Sequence, residues 1–402
     1  MEIRPVLAAL RKHKIPAALI VLEVALACAV FCNAVFMIGQ RMAELDMPNA
    51  IDQRGLVGIR VTGTDPKLVN DDIPRDLAAL RLIPGVLDVA ATTSVPFGDG
   101  LGEDSVSAHP NSQDAPGASR YMFTQGGART FGLQLLQGRF FEADEYVASK
   151  TNGMSLPDGH VVILTQALAQ RLWPAQAAPG KQLWMGEHAY TVVGVIANVA
   201  QPGGAGIGRY WDYYSTFFPI GPAPALTDYI VRTLPKDRAT VLRAAVAKLE
   251  ALSPDAVIQG QTFMQIRDQA FANIRSMVWM LVLVCVVMLA VAAFSIVGLT
   301  SFWVDQRRRQ TGIRRALGAT RANVLHYFQT ENSILSIVGV VLGVILAYAA
   351  NLYLMTHYQL ERMPWYYLLI SAVVLLMLGQ LAVLGPALRA SRVPPMAAMR
   401  DR

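Results

Sequence analysis

The sequence predicts an α-helical membrane protein with four transmembrane helices and a mixed α/β domain, carried on a helical stalk between the first two of them. Three observations lead there. Hydrophobic residues make up 53% of the 402 residues and charged residues only 16%, too apolar a balance for a soluble chain of that size. The excess is concentrated in four blocks of at least 20 residues, each long enough at about 1.5 Å rise per residue to approach the roughly 30 Å of a hydrocarbon core. The Lys and Arg residues flank these blocks on alternate sides.

Residues 1–14 read as a cytoplasmic segment bearing Arg4, Arg11, Lys12 and Lys14, and 15–40 as the first span. The basic start and the triplet Ala27-Cys28-Ala29 invite a signal-peptide reading. The apolar run is too long for a typical signal core, however, and three more spans follow, so a retained anchor is expected. Residues 41–275 form the outer domain with its stalk helices, 276–304 the second span, 305–332 a cytoplasmic loop and 333–355 the third span. Residues 356–364 make a short outer connection, 365–385 the fourth span and 386–402 a cytoplasmic tail. Segment 305–332 carries six arginines and the tail four basic residues, while 356–364 has only Arg362 beside Glu361. Basic flanks stay inside, which places both termini in the cytoplasm and 41–275 outside. That domain holds 20 Lys/Arg against 23 Asp/Glu. The sequence pI of about 9.3 is therefore a topological signal pointing to membrane lipids, and nucleic-acid binding is a poor explanation for it.

The three cysteines, Cys28, Cys32 and Cys285, all fall in spans, so the outer domain has no disulfide and must rely on its own core. Within it, strands are expected at Leu56–Thr62, Val161–Leu164 and Tyr190–Ile196, where β-branched residues cluster between turn signals. Helices are expected at Pro74–Leu82, Gln166–Leu172 and Arg238–Leu252. The polar segment 96–118 reads as an exposed insertion, and the glycines of 201–208 as a surface loop. Phe263, Ile266, Ala270, Ile274 and Met277 recur at three- and four-residue steps, which predicts an amphipathic helix running unbroken into the second span. Gly39–Leu45 continues the first span in the same way. Two such helices entering one domain make a stalk that can transmit displacement.

No catalytic, cofactor-binding or metal-binding constellation is legible. The six histidines are scattered without ligand spacing, and Pro179-Gly180-Lys181-Gln182 lacks the upstream glycine and the hydroxyl of a P-loop. The chain is expected to be a non-catalytic membrane subunit. Glu23 is the one ionisable residue in mid-span. A carboxylate there costs a few kcal/mol unless paired, so it is either a proton or substrate site or, as favoured here, the partner of a helix neighbour or of Lys14 or Arg11.

The richest stretch is Asp305–Glu331, DQRRRQTGIRRALGATRANVLHYFQTE. Gly312 and Gly318 bracket a short segment with apolar and basic faces, and Ala319–Phe328 reads as a helix leading into the third span. Gln310–Thr320, with its Gly-Ile-Arg-Arg-Ala-Leu-Gly-Ala-Thr core, resembles the signature loop of FtsX-like permeases of ABC transporters, although Gln310 stands where many relatives have Glu. The C-terminal GPALRASRVPPMAAMR is similar to that family's closing pattern. The outer domain resembles the MacB-type periplasmic core domain through Phe131-Gly132-Leu133, Gly138-Arg139-Phe140-Phe141, Val162–Trp173, Gly180-Lys181 and Tyr190–Val195.

The resemblance implies a bacterial inner-membrane permease that works as a dimer, paired with an identical chain or a sister paralogue. MacB has an ATP-binding domain ahead of its first span, and here 14 residues precede it, so two copies of a separate ABC ATPase, binding ATP and Mg, are expected. Gly312, Ile313, Arg314, Arg315, Leu317, Gly318, Ala319 and Arg321 would dock that ATPase. The outer domain would face a periplasmic adaptor and, through it, an outer-membrane channel. Efflux of antibiotics, peptides or similar compounds by mechanotransmission is the implied function. The alternatives are an FtsX-like regulator of cell-wall hydrolases, which transports nothing, and a lipoprotein-extracting permease.

Overall fold

The computed structural model describes residues 14–45, 47–65, 67–100, 102–110, 112, 114–149, 151, 155–202, 213–306, 313, 320–358 and 362–391. The chain divides into two compact units, 1–42 with 276–402 and, between them in sequence, 43–275.

Four helices in the described residues are long and apolar enough to cross a membrane. They are α1 (Lys14–Leu45), α7 (Ala272–Gln306), α8 (Arg321–Tyr358) and α9 (Trp365–Ser391). At about 1.5 Å per residue, the 38 residues of α8 reach well past a hydrocarbon core. Its first twelve residues carry the polar residues Asn323, His326, Gln329, Thr330 and Asn332. The expected helix start and third span are thus one element, because nothing between Arg321 and Tyr358 breaks the backbone ladder.

Among its described residues the unit 43–275 is built on one mixed sheet of eleven strands. Its strands are β1 (Leu56–Thr62), β2 (Val86–Thr92), β3 (Glu103–Ser105), β4 (Gly117–Phe123), β5 (Leu135–Gly138), β6 (Val161–Thr165), β7 (Gln182–Met185), β8 (His188–Ile196), β9 (Ser215–Pro219), β10 (Asp228–Thr233) and β11 (Val257–Thr262). The helices are α2 (Val69–Arg81), α3 (Gly127–Phe131), α4 (Gln166–Leu172), α5 (Arg238–Leu252) and α6 (Phe263–Ala270). The main path runs β11-β1-β10-β2-β4-β9-β6-β8-β5, with β3 on β4 and β7 on β8. The pairs β4/β9 and β6/β8 are parallel.

Strand alternation explains the two cores. Val57, Ile59 and Val61 of β1 join Tyr229 and Val231 of β10 under α2 and α5. Leu56 and Ile230 point the other way, into a cluster rich in aromatics around Tyr121, Phe123, Phe131, Phe217 and Phe263. A sheet covered on both faces needs continuous apolar runs, and these were the runs the sequence exposed most clearly. Tyr121 stacks on Phe217 with centroids 4.7 Å apart and donates to the Ala200 carbonyl at 2.6 Å. Across β1 and β10, Arg60 lies opposite Asp228 and donates to it at 2.9 and 3.2 Å. Burial raises the Asp228 carboxyl above its ordinary pKa, and the Arg60 guanidinium pulls it back.

Two expectations are corrected, and a third falls mostly outside the described residues. Segment 96–118 contains β3, which pairs with β4, and Ser107 bridges Trp184. Val106 is fully buried there; polar side chains hid a ladder held by backbone groups. Helix α2 starts at Val69, before Pro74, because the Leu68 carbonyl accepts from the Asp71 and Asp72 amides and both acids favour a helix N-terminus. The glycine-rich 201–208 lies mostly outside the described residues.

The motif Gly138-Arg139-Phe140-Phe141 has a clear structural role. Gly138 has φ +75° with no room for a Cβ against the Val193 carbonyl, and Phe141 packs on Phe123 and Tyr146. Arg139 donates to both carboxylate oxygens of Glu145, at 2.9 and 2.6 Å. The Glu142 amide donates to Glu145 as well, at 2.7 Å. The arginine lowers the Glu145 pKa below its ordinary 4.5. A depressed carboxylate pKa contributes stability that is present above pH 4.5 and lost as the pH falls through the folded value. Thermal unfolding of wild type and Glu145→Gln should therefore differ at pH 7, by about 1 kcal/mol or less for a partly exposed pair, and converge as the pH falls through the folded value.

Candidate functional site

The expected coupling segment is described at two positions. Ile313 is helical and 45% exposed, and Arg321 opens α8 on the exposed side. Gly312, Arg314, Arg315, Leu317, Gly318 and Ala319 lie outside the described residues. Thr320 caps α8: its hydroxyl accepts from the Asn323 amide at 3.2 Å, satisfying one of the orphan donors of the first turn. The helix therefore starts at a defined point after the loop, with Arg321 at its first position.

From there α8 passes directly into the packed heart of the membrane unit. The Asn332 side chain donates to the Gly379 carbonyl at 3.0 Å, and Gln380 donates to the Ser333 hydroxyl at 2.9 Å. These bonds join α8 to α9 within a mostly apolar unit, where polar side chains act as glue between helices. At the far end, Asn351 accepts from the Met363 amide at 3.1 Å and closes the hairpin. On another face, Gly339 and Gly343 let α1 come close. Cys28 donates its thiol to the Val340 carbonyl at 3.8 Å, and Asn33 reaches the Ala347 carbonyl at 3.3 Å. Cys28 and Cys32 are thus packing residues. Helix α7 takes a smaller part and is much less buried within the unit than α1.

Within the unit 43–275 a second cluster gathers at the end of α1. Arg267 of α6 donates to the Leu45 carbonyl, the last residue of α1, at 3.0 Å, and to Gln53 at 2.9 Å. A guanidinium suits a helix C-terminus, whose carbonyls are unpaired and partly negative. Arg267 also lies over the rings of Phe97 and Phe271, 5.7 and 5.6 Å from their centroids. Phe271 interrupts the helix that the sequence predicts as continuous, leaving α6 and α7 on either side. Its ring is buried against Phe97 at 5.3 Å, which fixes the local turn, while its amide still bonds to the Arg267 carbonyl at 3.1 Å. Helix α6 itself starts on a capping box between Thr262 and Gln265. Phe97 sits at φ +65°, a conformation a bulky residue adopts only when its surroundings enforce it.

The sequence placed Arg267 on the polar side of a helical stripe and gave no sign of its partner, because Leu45 is 222 positions away. Among the described residues no three His, Cys, Asp or Glu side chains gather as metal ligands. What the arrangement offers is mechanical: one basic side chain holds the ends of the two chain segments that lead to the membrane helices.

Comparison with known proteins agrees with this architecture. Residues 18–258 match the MacB-like periplasmic core domain, and residues 282–395 match the FtsX-like permease C-terminal family. The macrolide export ATP-binding/permease protein MacB of Chromobacterium violaceum is 24% identical over 67% of this chain and 41% of that protein. MacB of Marinobacter nauticus is 24% identical over 77% of this chain and 47% of its own. The chain thus spans less than half the length of these two relatives. The uncharacterized ABC transporter permease YknZ of Bacillus subtilis is 20% identical over 81% of this chain and 78% of that one. Among solved structures, the periplasmic region of MacB from Actinobacillus actinomycetemcomitans aligns with a TM-score of 0.36 at 14% identity, over 54% of this chain and 92% of that one.

Proposed function

The chain belongs to the MacB-like, FtsX-like family of ABC transporter permeases, and from that premise we propose that it converts ATP-driven motion of a separate ATPase into movement of its outer domain. Two ATPase copies, carrying ATP and Mg, dock at the loop 305–332, and a second permease chain completes the membrane assembly. The chain sits in the bacterial inner membrane with both termini in the cytoplasm. Its periplasmic domain works with an adaptor and an outer-membrane channel to expel antibiotics, peptides or similar compounds.

The observation that supports this reading best is the Arg267 clasp. It ties the end of α1 to α6, so displacement of either stalk segment reaches the same place in the domain. The complete eleven-stranded unit favours export over a regulator of cell-wall hydrolases, whose outer domain is smaller.

The test is reconstitution with an ABC ATPase that co-purifies with it. The 402-residue chain alone should hydrolyse no ATP, since its sequence holds no P-loop; with the ATPase, hydrolysis should rise and export appear. Arg267→Met keeps an apolar stem over Phe97 and Phe271 but removes the bonds to Leu45 and Gln53. That variant should still bind and stimulate the ATPase while export falls about tenfold. Hydrolysis by the chain alone, or full export by Arg267→Met, would count against the proposal.

A further inference from the structure

The unit 43–275 contains a cleft of about 770 Å³, within the roughly 300–1,000 Å³ range of small-molecule sites. It opens between the end of α2, strand β2, helix α3 and the turn after β5. Its wall is apolar and aromatic, formed by Leu133, Phe140, Phe141 and Tyr146. Two of the strings that the sequence singles out, Phe131-Gly132-Leu133 and Gly138-Arg139-Phe140-Phe141, thus meet on one surface. The rings of Phe140, Phe141 and Tyr146 are half-buried, so part of each stays open to the cleft.

The wall is held in place before any ligand arrives. Phe141 packs against Phe123 and Tyr146, with centroids 5.9 and 6.1 Å apart. The Arg139–Glu145 pair fixes the turn that presents Tyr146. Burial, with Glu145 beside it, pushes the Tyr146 hydroxyl up to about 12, so it stays neutral at pH 7 and adds no negative charge.

The charged lining residues are Arg81, the last residue of α2, Arg129 of α3 and Asp88 of β2. Asp88 accepts from Arg129 Nε at 2.6 Å and from the Val89 amide at 3.0 Å. It therefore orients the Arg129 guanidinium through Nε and leaves the terminal amino groups beyond it, on a side chain that is 81% exposed. Such a fork donates two parallel hydrogen bonds to a planar carboxylate. Arg81 is exposed as well. Two positive charges against one negative leave a net of one positive charge on the lining, which a single anionic group neutralises. A dianionic phosphate would put its second charge beside Asp88, and an ammonium would meet two guanidinium groups.

We propose that this cleft binds an aromatic monocarboxylate, its ring against Phe140, Phe141 and Tyr146 and its carboxylate on Arg81 and Arg129. A free aromatic acid supplies that chemistry, and so does a peptide chain that ends in an aromatic residue. The inference is independent of the export reading, since it needs neither an ATPase nor a stroke.

The probe is N-dansyl-phenylalanine, compared with its carboxamide, which has the same rings and no negative charge. Binding is read by fluorescence to the full chain in phosphatidylcholine nanodiscs, with the signal of empty discs subtracted. No ATPase is present, so failure here leaves the export reading untouched. Wild type should bind the acid at least tenfold more tightly than the carboxamide. The double variant Arg81→Gln and Arg129→Gln should bring the two to parity with the carboxamide unchanged, and both side chains are exposed, so the fold is spared. Phe140→Ala should weaken both probes about tenfold. Lys248→Gln removes a positive charge from the exposed side of α5 and should change nothing. Competition separates the two sources: 2-naphthylacetate stands for a free acid and acetyl-Gly-Gly-Phe for a chain end, and the stronger competitor identifies the ligand's source. Equal binding of acid and carboxamide by wild type, a preference that survives loss of both arginines, or one that falls equally in Lys248→Gln overturns the proposal. Failure of both competitors to displace the acid overturns it too. Probe binding that is lost when the chain dimerises assigns the cleft to a second copy and does the same.

Discussion

Gly343→Leu should unfold the membrane unit more readily than any other single substitution among its glycines. A Cβ built at Gly343 lies 2.7 Å from the Ala25 carbonyl oxygen and 3.1 Å from the Ala25 Cα, both backbone atoms of α1. Backbone cannot rotate aside, so α1 and α8 must separate. Separation also lengthens the Cys28–Val340 and Asn33–Ala347 contacts, now 3.8 and 3.3 Å. Replacing a mid-helix glycine returns about 1 kcal/mol of helix propensity. Overpacking of this kind costs about 1–3 kcal/mol or more, and a clash with backbone belongs at the upper end, so the clash wins. Gly385→Leu is the matched control, since a Cβ there meets nothing within 4 Å. Thermal unfolding of the solubilised chain should show Gly343→Leu clearly destabilised and Gly385→Leu unchanged or slightly stabilised. Equal stability of the two variants would mean that α1 and α8 do not pack through these glycines.

The second large effect concerns the loop. If 305–332 serves only as a positive-inside anchor, the pair Arg314→Lys and Arg315→Lys should be harmless, because lysine satisfies the topological rule equally well. If it docks an ATPase, the planar guanidinium with its five donors matters, and lysine cannot replace it. ATPase stimulation and export should then drop at least tenfold, equivalent to about 1.4 kcal/mol. Gly318→Leu should be worse if that glycine allows a tight turn or a close approach to the partner. Membrane levels must be matched, and co-purification of the ATPase separates lost docking from lost stroke. Wild-type stimulation in both variants would return the loop to an anchoring role and remove the mechanical basis of the proposed function.

The two experiments address different links of one chain of cause. Helix α8 begins at the Thr320 cap, within the proposed docking segment 305–332, and carries Asn332, Gly339 and Gly343 into its contacts with α9 and α1. Helix α1 in turn ends at Leu45, where Arg267 receives it. Gly343→Leu damages the packing, whereas the arginine pair spares it and tests the push alone.

The sequence by itself determined the four apolar helices, the mixed α/β character of the middle domain, and the places of β1, α4 and α5. Each of these is written in local periodicity or in a run of apolar residues. A helix in lipid must be apolar all round, and a strand covered on both faces must be apolar throughout, so burial leaves its mark on consecutive residues. The family signature around Gly312–Thr320 was legible for the same reason, as a contiguous string. Only the tertiary structure decided the rest. Strand β3 is polar and exists because β4 offers it backbone partners. The break at Phe271 depends on Phe97, which is distant in sequence, and Arg267 finds its role at a carbonyl 222 residues earlier. These features rest on contacts between residues far apart in the chain, and no local pattern records which distant group will complete a hydrogen bond, close a turn or line a cavity.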